Sequence, residues 1–258
     1  MFTAKVSEKS IGKKRQMRLL AVLLVPAVAL IFGGAVSDGW AQPDCFFNIE
    51  FNATDLDVGV RGFFDDDPWR ELEIENPRGR TISEDESRRG LKRQGKAEWF
   101  FESGEPPLTE VSFRKFLRRF PEGDYIFEAE LIDGDEAECI AEFTHVIPCP
   151  PVIVKNPFDN DNRTIEWAAV TTAVNTEATD DAVEISGLDA EVVCFDNGPV
   201  VIEGYEVIVE GENGDLSITL PADATSFEVP AELGGFFKFE VLAIEESGNQ
   251  TITEVEQE

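Results

Sequence analysis

Gly204-Tyr205-Glu206-Val207-Ile208-Val209 is the stretch on which the reading of the fold turns. Tyr205, Val207 and Val209 fall on one face, the period of a strand with one side buried. Residues 163–170, around Trp167, carry the same alternation. So do residues 226–230 and 237–244, the last closed by the turn residues Ser247-Gly248-Asn249. Several short strands separated by turn signals predict an antiparallel sandwich over residues 149–258.

Upstream of this region lies Pro148-Cys149-Pro150-Pro151, a run that cannot continue a central strand and favours extended backbone. It divides the chain into residues 42–148 and 149–258. Charge changes there too: the first part sums to −13 and the second to −21. The first part again reads mainly as strands, over residues 45–51, 58–64, 69–75, 81–84 and 98–102. Asp65-Asp66-Asp67-Pro68 and Asn76-Pro77-Arg78-Gly79 are expected as turns. Trp99, Phe100 and Phe101 read as a buried strand. Residues 108–120 predict one amphipathic helix, with Phe113, Phe116, Leu117 and Phe120 on a single face, Thr109 as its cap and Pro121 as its stop. Residues 125–132 and 139–146 then form a hairpin across Asp133-Gly134-Asp135. Tyr125, opening a penultimate strand after a Gly turn, is similar to the tyrosine corner of immunoglobulin-like sandwiches. The expected fold is therefore mostly β: two immunoglobulin-like β-sandwich domains in tandem, the first with one inserted helix.

The N-terminal 41 residues read as a signal peptide. Lys13, Lys14, Arg15 and Arg18 precede an apolar run over residues 19–36, and Gly39-Trp40-Ala41 suits cleavage after Ala41. Cleavage after Ser37, or retention of the run as an anchor, are the alternatives. The expected address is exported, periplasmic or extracellular, where cysteines pair. Cleavage after Ala41 would take the net charge from −30 to −34. That balance disfavours nucleic acid and anionic membrane and favours cations or basic partners. A saline habitat would also account for it.

The four runs of the second part resemble a fibronectin type III domain over roughly residues 150–256. The resemblance rests on Trp167 in Ile165-Glu166-Trp167, Tyr205 in Gly204-Tyr205-Glu206-Val207, and Leu233 before Gly234-Gly235 and Phe237. The whole pattern resembles exported bacterial proteins that end in such a domain. Phe237 departs from the family's tyrosine, so the resemblance implies a corner held by packing alone. A second departure is the connection over residues 171–201, about thirty residues long, with a possible extra hairpin over 183–185 and 191–194. Loops of this length are usually functional or disordered. In the family this loop lies at the pole of the domain's N-terminus. The resemblance thus implies Cys149–Cys194, and with it Cys45–Cys139, one of three possible connectivities.

Chemistry is sparse. His145 is the lone histidine and reads as a strand residue beside Thr144 rather than a base. No P-loop or dinucleotide fingerprint is present. Asp159 and Asp161, in Asp159-Asn160-Asp161-Asn162, begin like a calcium loop, but Thr164 stands where its glycine belongs and Val170 where its glutamate belongs. Asp65 and Asp67 are the other calcium candidates. No other cofactor is expected. The function expected is a non-enzymatic exported module acting through protein or glycan contacts, with residues 171–201 as the contact surface. The alternatives are a carbohydrate-active hydrolase or its accessory module, with carboxylates in a groove lined by Trp69, Trp99 or Phe101, and a calcium-stabilised spacer.

Overall fold

Alternation in residues 57–76 runs on where a turn was expected. In the computed structural model, which describes residues 44–160, 163–174, 194 and 198–257, these residues form a single strand, β2 (Asp57–Asn76). Its first half pairs with β1 (Asp44–Asn52) and β4 (Lys96–Glu102). Its second half pairs with β3 (Arg80–Glu86) and β5 (Gly123–Leu131). Between the halves the register against β4 shifts from Asp65 to Trp69. Asp65-Asp66-Asp67-Pro68 thus marks a bulge, not a reversal. Pro68 has no N–H to give to a ladder, and the bulge lets one strand bend and exchange partners.

The helix is shorter than its periodicity suggests. After a first short helix, α1 (Gly90–Gln94), the amphipathic stretch contributes only α2 (Phe113–Arg119). Residues 108–111 are held in a turn instead. The Leu108 N–H donates to the Leu56 carbonyl (2.7 Å), and Glu110 and Val111 turn back on Pro107. Ser112, not Thr109, occupies the cap position. Phe113, Phe116 and Leu117 are buried as the apolar face requires. β4 is half-exposed rather than buried: Trp99 and Phe101 lie against the core, while Phe100 is 55% exposed.

The hairpin of β5 with β6 (Glu136–Phe143) completes the first part. The second part adds β7 (Ile153–Lys155), the short α3 (Pro157–Asn160), β8 (Thr164–Trp167), β9 (Ile202–Gly211), β10 (Gly214–Pro221), β11 (Ser226–Glu228), β12 (Phe236–Glu245) and β13 (Gln250–Glu256). The described chain is thus mostly β. Strands β11-β8-β7 form a small sheet. The other ten form one sheet whose main path runs β10-β9-β12-β13-β1-β2-β5-β6, with β3 and β4 also on β2.

The contact at the centre of that path joins the two parts. β13 lies parallel to β1, with Glu50 opposite Gln250 and Asn52 opposite Ile252. The proline run 148–151 is buried and packs on β13. There Thr251 Oγ1 donates to the Pro148 carbonyl (2.6 Å) and Thr253 Oγ1 to the Pro151 carbonyl (2.8 Å). Two apolar cores flank this seam. One gathers around Phe47, Tyr125 and Phe143, the other around Trp167, Tyr205 and Phe239.

The four cysteines form Cys45–Cys139, with Cα atoms 6.1 Å apart, and Cys149–Cys194, with Cα atoms 5.9 Å apart. The first closes 94 residues of chain, which in the loop-entropy model stabilises the fold by about 4–5 kcal/mol.

Aromatic roles differ from the sequence reading at two positions. Phe237 is half-exposed and occupies no corner; Phe236 and Phe239 pack against Phe158 instead. The Tyr205 hydroxyl takes the backbone bond, accepting the Val170 N–H at 2.9 Å.

Candidate functional site

The structure distributes the acids in ways their spacing does not show. Asp65 and Asp67 are exposed on the β2 bulge, where Asp66 Oδ1 accepts the Asp67 N–H. These aspartates form no three-carboxylate group. Among the described residues the one such group, with oxygens all within 4.8 Å of one another, is Glu50, Glu102 and Glu105. Asp159 lies within α3, but its side chain, Asp161, and most of residues 171–201 lie outside the described residues.

Glu50 comes from β1, Glu102 closes β4 and Glu105 follows in the next loop. Gly59 of β2 makes their meeting possible: a Cβ there would stand 2.8 Å from the Glu105 Cγ and 3.1 Å from the Ser103 Oγ. Arg61 Nη1 reaches Glu50 Oε2 at 3.0 Å, and the Gln250 amide donates to the same oxygen. Burial raises the Glu50 carboxyl above the usual range; Arg61 opposes this and Glu102 adds to it. Glu105 is pushed up to about 7 by burial and by Glu50, Asp57 and Glu102. Asp57 is raised as well, by burial and by Asp55. Its buried Oδ1 has no hydrogen-bond partner among the described residues. The three convergent carboxylates are hard oxygen donors of the kind a cation takes, and Arg61 already neutralises one of them.

A second acidic surface comes from strand register. Across β3, β2, β5 and β6, Glu86, Glu71, Glu130 and Glu136 stand directly opposite one another. Glu84, Glu73, Glu128 and Glu138 form a parallel row beside them. Ala129 and Ala137 lie between the rows and leave a shallow trough of about 450 Å³. Like charges in opposed positions destabilise a sheet. Arg70 on Glu130, Arg88 and Lys92 near Glu86, and the Thr81 hydroxyl on Glu73 offset part of that cost. Arg70 holds the Glu130 carboxyl low, whereas burial and then Glu75, Glu138, Glu73 and Glu136 raise Glu128.

His145 supplies no base for a nucleophile. Its Nε2 lies 2.7 Å from the Phe120 carbonyl, and its ring stands edge-on to Phe143. The adjacent Thr144 hydroxyl bonds Ser247 Oγ instead (2.8 Å). Trp69 is buried, and Trp99 and Phe101 are partly buried against the first core.

No protein-family model matches the chain, and a search of curated proteins finds no match. Among solved structures, the chain is similar to the BSP domain of a biofilm-associated protein, at 14% identity and a TM-score of 0.25. That match covers 83% of this chain and 29% of the other. It is also similar to a bacterial ice-binding adhesin solved in connection with host cell surface retention, at 11% identity and a TM-score of 0.22. There the match covers 83% of this chain and 64% of the other, so the chain spans less than two thirds of either structure. The two disulfides are the chemistry of an oxidising compartment. No helix among the described residues is long and apolar enough to cross a membrane.

Proposed function

We propose that the chain is an exported, non-enzymatic binding or structural module made of two immunoglobulin-like sandwich lobes, the second of fibronectin type III kind. The observation that carries this reading is the seam: one sheet runs through both lobes and each lobe has its own disulfide. The eight opposed glutamates favour a basic protein partner over an anionic one. Neutralising Glu71, Glu73, Glu128 and Glu130 to Gln tests this, with partner capture from native envelope and medium as the readout. Capture should be salt-sensitive in the wild-type chain and lost in the variant. Capture that survives both the variant and high salt would remove the glutamate face from the reading. Polysaccharide hydrolysis abolished by Glu102→Gln would replace the module with an enzyme.

The Glu50–Glu102–Glu105 group favours a second reading, a calcium-stabilised spacer. Thermal midpoints that are equal in calcium and in chelator would exclude it.

A further inference from the structure

A cavity of about 600 Å³ opens at the seam between the two lobes, within the size range of small-ligand sites and in the place where such sites recur. Its walls come from both lobes: the start of β1, β6 and the residues after it, the approach to β9, and the turn between β12 and β13.

Two chemistries meet there. In the lining Phe46 is joined by Ile140, Val146 and Val201, which are 54%, 40% and 59% exposed. Aliphatic side chains this exposed, gathered on one cavity, form an apolar wall that water covers poorly. Interleaved with them are three acids: Glu142 two residues from Ile140 on the same face of β6, Glu246 bonded through its N–H to the Val201 carbonyl, and Glu245. No lysine or arginine pairs with any of them among the described residues.

Glu245 is the unusual member. It is only 2% exposed yet lines the cavity. Its Oε1 accepts from the Ser247 hydroxyl and from the Asn249 N–H (3.2 Å). The turn holding it is fixed in turn by Asn249, whose amide donates to the Thr144 carbonyl (3.1 Å) and the Val146 carbonyl (2.7 Å). A buried acid held in place by neutral donors at the wall of a cavity has no countercharge of its own. A cationic group entering the cavity would supply one, and its stem would cover the aliphatic wall.

We infer that this seam cavity is a binding site for an alkylammonium group, with the charged head toward Glu245, Glu142 and Glu246 and the hydrocarbon stem on Ile140, Val146 and Val201. Free amines and lysine side chains share this chemistry. The site is independent of the glutamate face and of whatever partner the module contacts there.

The test uses the disulfide-bonded chain without its leader. n-Hexylamine and n-hexanol are titrated separately and followed by amide and methyl chemical shifts. Hexylamine should bind at least tenfold more tightly than hexanol, with shifts confined to the cavity residues. The double variant Glu142→Gln/Glu246→Gln alters exposed positions only and should weaken hexylamine at least fivefold, leaving hexanol unchanged. Glu245→Gln, if it folds, should weaken hexylamine more. A blocked Gly-Lys-Gly peptide separates the sources: affinity matching hexylamine assigns a polypeptide lysine, and tenfold weaker binding assigns a free amine. Equal binding of hexylamine and hexanol, no saturable binding of hexylamine, or shifts centred on the Glu71–Glu138 face would each overturn the proposal.

Discussion

Two tyrosines with the same degree of burial carry different weight. Tyr205 and Tyr125 are both fully buried, one in each core. The Tyr205 hydroxyl accepts the buried Val170 N–H, so Tyr205→Phe orphans a backbone donor and should cost about 1–2 kcal/mol. The Tyr125 ring stacks on Phe47 at 4.2 Å, but its hydroxyl has no partner among the described residues, and burial pushes its pKa up to about 12. Tyr125→Phe keeps the stack and removes an unsatisfied group, so its effect should lie within about 0.5 kcal/mol of zero or be stabilising. Urea midpoints of the two variants check this, and a larger loss for Tyr125→Phe would reverse the assignment. In the sequence Tyr125 looked like the corner residue and Phe237 like a lost one. Alternation places an aromatic ring on a strand, but it does not show which distant N–H will reach its hydroxyl. Asn249 makes the same point. As Asn249-Gln250-Thr251 it reads as a glycan acceptor, yet its amide is buried, accepting from Ile49 N–H and donating to residues 144 and 146.

Elements were legible where period 2 was strong and local. The strands around Trp167, Tyr205, Phe227 and Phe239 lie within a few residues of where alternation places them. The bulge in β2 was not legible, because three aspartates and a proline spell a reversal as readily as a bend. The candidate sites were legible least. The Glu50–Glu102–Glu105 group and the glutamate rows exist only through cross-strand register, which no single segment encodes. The group nevertheless has a measurable consequence. The Glu105 carboxyl is raised from 4.5 to about 7, so between these values the folded chain holds a proton that the unfolded chain has lost. Its contribution is fully present below about pH 4.5 and fades as pH rises to about 7. Denaturant midpoints should therefore fall over this range, and Glu105→Gln should flatten part of that slope. Glu50, Asp57 and Glu245 are shifted in the same direction and retain the remainder. A midpoint that rises with pH in the wild-type chain, or an unchanged slope in Glu105→Gln, would count against the carboxylate group.

At the scale of the whole molecule, the question is whether two cores make two folding units. Tandem domains on a flexible linker unfold separately, and the proline run at 148–151 invites that expectation. The seam argues otherwise. The first and last strands pair in parallel, Ala53 N–H donates to the Ile252 carbonyl (3.0 Å), and Thr54 and Glu254 exchange two further bonds. Asn249 and the threonines of β13 hold the connecting residues from the other side. Opening either lobe alone would strip the buried and half-buried groups among them, those bonded by Asn249, Thr251 and Thr253, of their partners, at a cost of about 1–3 kcal/mol each. Their sum is a substantial share of the roughly 5–15 kcal/mol that holds a typical domain. Tryptophan positions make the coupling measurable. Trp69 reports on the first core and Trp167 on the second. Chains whose single indole is either Trp69 or Trp167, with the other tryptophans replaced, should show the same denaturant midpoint and the same slope. Asn249→Ala should lower both midpoints and pull them apart, because it cuts the bonds that let one lobe sense the other. Two well-separated midpoints in chains with the seam intact would mean that the sheet is continuous in geometry but not in cooperativity.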